Sequence, residues 1–143
     1  MEWIAQGAEI FVRLDPGEGI VESLKNVAGH AGFSAAAITS GVGMLNGAEL
    51  GFFDVAIDDY RHTTIEGIYD LSSVLGNITR RDGIYVPHVH VVFNDPAHVT
   101  YSGHVIEAKC HITVEIFLSL TVSALQRVKI PGCPATRIIR SDG

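Results

Sequence analysis

The chain has 143 residues, 47% of them hydrophobic and 18% charged, with a formal net charge of -6 at neutral pH. That length and composition give one globular domain, residues 1–143, with a sizeable core and no second unit. The acidic balance, with a pI near 5.5, excludes the broad basic face that a nucleic-acid backbone requires. Only Arg80-Arg81 and the spread of Arg127, Lys129, Arg137 and Arg140 remain as local basic candidates. Sparse charge points to surface covered by another subunit.

The opening Met1 to Gly7 lacks the basic segment and apolar core of an export signal, and no apolar run reaches membrane-spanning length. The expectation is a cytoplasmic protein with no membrane partner. Cys110 and Cys133 do not form a CxxC pair, which excludes a disulfide framework. Cys110 reads as core, and Cys133, between Gly132 and Pro134, as a free thiol in a turn.

Ala8 to Leu14 alternates as a first strand. Asp15-Pro16-Gly17-Glu18 then offers an N-cap, a proline at the first helical position and a glutamate three residues after the cap. Ile20, Val21, Leu24, Val27, Ala28 and Ala31 recur at helical spacing, so the sequence predicts a helix from about Gly17 to Ala31, stopped by Gly32. His30 suits the C-terminal end of that helix rather than a ligand set.

Ser34 to Ser40 reads as a strand leading into a glycine-rich bend, Gly41 to Gly47, which lacks the dinucleotide-binding pattern and is expected to be a packed turn. Ala48 to Val55 is a further strand, and Asp58-Asp59 a turn before Tyr60 to Glu66. Gly67 separates that segment from Ile68 to Thr79, whose first half is compatible with a helical turn and whose second half looks extended. Arg80-Arg81-Asp82-Gly83 is a hairpin turn. Ser123 to Ile130 is the last clear strand, and Ala135 to Gly143 has little sustained pattern.

The chemistry concentrates between the hairpin turn and that last strand. Val86-Pro87-His88-Val89-His90-Val91-Val92-Phe93 is a β-branched run, and in an extended segment His88 and His90 project from one face. A third imidazole at His104, after Ser102-Gly103, closes a three-histidine set with an open position for water or a substrate atom, the donor set that suits zinc. The competing reading is a half-wet strand that carries histidines. From His104 the alternation groups Ile106, Ala108, Cys110, Ile112, Val114, Ile116 and Leu118 on a core face with His104 at its entrance, and His111 and Glu115 on the other.

In these residues the chain resembles the PPC domain family, named for plants and prokaryotes, whose plant members carry separate AT-hooks. The resemblance rests on Arg13 to Glu18, Ser40 to Gly43, Leu75 to Ile78, Pro87-His88-Val89-His90, Ser102-Gly103-His104 and Thr113-Val114-Glu115, and covers about residues 7–128. Ser102 stands where the family more usually has glycine. The resemblance implies an α+β domain, an antiparallel sheet or partly closed β-barrel packed with a principal helix, assembled as a homotrimer. It also implies zinc binding by His88, His90 and His104.

Three functions are open at this level. The first is a homotrimeric metal-binding module with a regulatory or small-ligand role. The second is a zinc-dependent hydrolase or lyase acting on a small polar metabolite, with Asp95, His98, Tyr101 and Glu115 as candidates for the acid or base. The third is a DNA-binding protein, for which no Arg-Gly-Arg segment of the AT-hook type is present.

Overall fold

The computed structural model describes residues 1–121, 124–133 and 135–141. Among the described residues, eight strands and one helix follow in the order β1 (Glu2–Gln6), β2 (Glu9–Leu14), α1 (Ile20–Ala31), β3 (Ala36–Asp54), β4 (Asp59–Arg81), β5 (Ile84–Asn94), β6 (Thr100–Leu120), β7 (Leu125–Lys129) and β8 (Thr136–Arg140). The class is α+β, mostly sheet with a single helix. β3 pairs with β4 and β6, and β5 pairs with the same two, so these four strands close into an uneven ring. β2 and β1 extend the sheet beyond β6, and β7 and β8 extend it beyond β4.

Three strands run far longer than the usual five or six residues, with 19 in β3, 23 in β4 and 21 in β6. The expected glycine-rich turn at Gly41 to Gly47 is therefore corrected: those residues lie inside β3, and β4 passes through Gly67 without a helical turn. The glycines permit close strand approach. At Gly43, whose φ is +150°, an added Cβ would sit 2.2 Å from the Thr113 carbonyl oxygen of β6. The Asp82-Gly83 hairpin between β4 and β5 forms as expected, both residues having positive φ. β1 and β8 lie in segments without a readable pattern, and each pairs with a single neighbour. The expected strand Ser123 to Ile130 is observed as β7, with Ser123 outside the described residues; so is Pro134, beside Cys133.

The helix is shorter than predicted and starts differently. Residues 15–18 form a turn held on β6, with Gly17 N donating to Cys110 O at 2.8 Å and Cys110 N to Glu18 O at 2.9 Å. Backbone hydrogen bonds to β6 thus take the segment that reads as a capping box. Gly19 is the N-cap and supplies no side chain. The cap comes from Glu107 of β6 instead, whose carboxylate accepts from Val21 N at 2.9 Å and Glu22 N at 3.1 Å. Only a glycine at position 19 leaves room, because a Cβ there would lie 2.7 Å from that carboxylate. Gly32 ends the helix in the left-handed conformation, as expected. Ile20, Leu24 and Val27 bury the inner face of α1 in a core shared with Leu14, Val89, Phe93 and Ile116.

Candidate metal centre

β5 carries the site because it alternates cleanly. Val89, Val91 and Phe93 are buried in the core, while His88 and His90 share the opposite face. His90 lies directly across the β5–β6 ladder from His104, and residues opposite each other in a ladder project to the same side. The three imidazoles therefore converge. Their ring centroids are 5.0 to 5.4 Å apart, and one nitrogen from each lies within 4.8 Å of the others.

The placement of His104 corrects the alternation expected for β6. Glu107 pairs with Glu49 and Val105 with Leu50, so Ile106 is an extra residue on β6 at a register shift. The core face passes from Ala108 to Val105 across that bulge, both being buried. His104 consequently leaves the core face and joins His88 and His90.

The residues present fit a metal ion. Nδ1 of His104 is buried and has no hydrogen-bond partner among the described residues, which leaves its lone pair or proton for an ion or an ordered water. Burial pushes the His88 imidazolium down to about 4, helped by the positive charge of Arg127 and by the neighbouring histidines. His104 is lowered for the same reasons, burial first, then His90 and Arg127. Both rings are thus held neutral, with the lone pair that a zinc ligand must offer.

Above the triad lies a cavity of about 480 Å³, walled by Leu50, Phe52, Tyr60, Thr63 and Tyr101. The ring of Tyr60 stands 5.4 Å from that of His104. None of the cavity-lining residues is acidic. Of the four acid–base candidates, only Tyr101 reaches this space. Asp95 structures the β5–β6 loop by accepting from Ala97 N and Val99 N, each at 2.9 Å. His98 is exposed in the same loop, and Glu115 sits far along β6, opposite Arg13. His30 bonds the Asn26 carbonyl at 2.7 Å, as suits a helix end.

Two residues near the triad were not singled out for it from the sequence. Tyr60 arrives from the β3–β4 hairpin. Arg127 arrives from β7, 8% exposed, with Nη2 donating to Asn77 Oδ1 at 2.8 Å and Nη1 to Thr136 Oγ1 at 3.2 Å. Asn77 is the ladder partner of His88, which sets the guanidinium behind that histidine. No local motif marks either residue. The other basic candidates differ: Arg80 is tied to the Phe33 carbonyl and the Tyr85 hydroxyl and stacks over the Tyr85 ring at 4.4 Å.

The family model of the Plants and Prokaryotes Conserved domain matches residues 4–121. None of the curated proteins matches the chain. Among solved structures, a protein from Bacteroides thetaiotaomicron described as a candidate DNA-binding protein superposes with a TM-score of 0.91 at 19% identity, over 96% of each chain. A plant- and prokaryote-conserved protein from Pyrococcus horikoshii gives 0.80 at 24% identity, over 91% of this chain and 90% of its own. A protein from Archaeoglobus fulgidus described as metal-containing gives 0.82 at 23% identity, over 96% of both.

Proposed function

Because the chain belongs to the Plants and Prokaryotes Conserved domain family, we propose that it is a homotrimeric metal-binding protein, with zinc as the ion, acting as a small-ligand or regulatory module. The observation that carries this reading is the convergence of His88, His90 and His104 with a buried, unpartnered Nδ1 on His104. The metal-containing relative from Archaeoglobus fulgidus supports it. Zinc bound there supplies Lewis acidity and lowers the pKa of a coordinated water. The chain's own residues hold it as neutral imidazoles, and Phe52, Tyr60 and Tyr101 wall the open cavity above it.

Elemental analysis tests the reading on untagged protein purified without added metal or chelator. The expected result is about one zinc per protomer, lost in His88→Ala, His90→Ala and His104→Ala variants that remain folded. A parent that stays metal-free after titration with zinc sinks it.

A hydrolase or lyase acting on a small polar metabolite is a weaker reading of the same site. The cavity is large enough for such a substrate, but it offers only tyrosines and the ligand histidines as proton carriers. DNA binding enters through the description of the Bacteroides thetaiotaomicron neighbour. Against it, Arg127 is buried and Arg80 is engaged, which leaves Arg81, Lys129, Arg137 and Arg140 of the basic candidates. Salt-sensitive binding to duplex DNA at low ionic strength supports that role, and no binding there removes it.

A further inference from the structure

Arg127 lies beyond the matched residues 4–121, and a metal-binding role does not explain it. A guanidinium behind His88 repels a divalent cation, and among the described residues no carboxylate is paired with it. Its hydrogen-bond partners are the neutral side chains of Asn77 and Thr136, its Nε is buried without a partner, and no acidic residue lines the cavity. A cation that is nine-tenths buried and unpaired is costly, and native proteins compensate it with an anion. A metal on the neutral triad adds two more positive charges to the same region.

We propose that the cavity over the triad binds a small carboxylate with an apolar body, whose negative charge is drawn by the triad's metal and the buried Arg127 together. The inference rests on the metal-binding reading above. The guanidinium is placed next to the site by Asn77, whose Oδ1 it holds at 2.8 Å and whose ladder partner is the cavity-lining His88. It acts through space from behind the histidines, so Arg127 is a positioning residue. The walls select the rest of the ligand. Leu50, Phe52 and the rings of Tyr60 and Tyr101 present mainly apolar surface, which suits a hydrocarbon or aromatic body. A single guanidinium with two donors already engaged matches a monoanion better than a phosphate, which proteins bind with clusters of arginine.

The test is calorimetric titration of the zinc-loaded protein with benzoate, its neutral isostere benzamide and inorganic phosphate, repeated on Arg127→Gln and Arg127→Lys. Benzoate is expected to bind the parent and Arg127→Lys alike, at least about tenfold more weakly to Arg127→Gln, and benzamide not at all. Zinc content and circular dichroism establish that each variant is folded and loaded. Equal affinity of loaded Arg127→Gln overturns the proposal, as does benzamide binding as tightly as benzoate. Phosphate binding more tightly than benzoate overturns the carboxylate class. A zinc-loaded parent that ignores benzoate removes this inference and leaves the metal reading standing, whereas a parent that takes up no zinc removes both.

Discussion

At the scale of single residues, His88 makes the fold sensitive to acid. Its folded-state value of about 4 lies below the ordinary 6.5, so between those two values the unfolded chain binds the extra proton and the native chain does not. Stability from this group is complete above pH 6.5 and is lost as pH falls through 4. Denaturant midpoints of the metal-free protein should therefore decline across that window, and the slope should flatten in His88→Asn; an unchanged slope contradicts the assignment. The glycine opposite Val89, next along from His88, is equally constrained. At Gly76, with φ +153°, a Cβ would lie 1.9 Å from the His88 carbonyl oxygen. Gly76→Ala should cost about 1–3 kcal/mol or more by overpacking and weaken zinc binding by displacing His88, measured by urea unfolding and competitive chelation. His88 and His90 were legible in the sequence because a strand's period of two is visible over three residues. Tyr60 and Arg127 were not, because chain closure rather than local pattern brings them near the triad.

At the scale of elements, the bulge at Ile106 decides where His104 points. Deleting Ile106 should leave strict alternation, with Val105 still on the core face and His104 still beside His88 and His90, so stoichiometric zinc should be retained while far-UV circular dichroism still reports a sheet; loss of zinc in a folded variant contradicts this. The helix offers a second case. Glu107 caps α1 from 85 or more residues away in sequence, favourable at the positive end of the helix dipole. Glu107→Ala should lower stability by about 1 kcal/mol, read as a shift in denaturant midpoint. The apolar stripe from Ile20 to Ala31 made the helix itself legible, and Gly32 fixed its end. Its start was misread because Asp15 to Glu18 satisfies a local capping pattern while its backbone is committed to β6. The long strands were broken too early in the reading for a related reason. Glycine is a turn signal in isolation, yet Gly43 and Gly76 are needed where two backbones nearly touch.

For the whole molecule, the α+β class with one principal helix followed from the resemblance and from the abundance of alternating segments. The ring closure of β3, β4, β5 and β6 rests on ladder pairings that no single segment encodes. Ring strands also expose large apolar residues, with Val42 at 52%, Leu75 at 50% and Phe117 at 47%. Such side chains fit the proposed trimer. Sedimentation equilibrium should give about three times the 15.4 kDa protomer mass, and a monomeric mass at micromolar concentration contradicts it.

β5 is bordered by β4 on one side and β6 on the other, while its inner face is packed against the core. Over residues 90–94 the strand therefore has no free edge from which to fray, and His88 is held in the ladder with β4. Amide hydrogens of Val89 and Val91 should be among the slowest in the protein to exchange with solvent, with or without zinc. Loading and unloading an ion then becomes a matter of rotating imidazoles on a fixed frame. On the proposed metal-binding reading, an ion should be lost and regained without the chain passing through the unfolded state, unlike small domains that zinc itself folds.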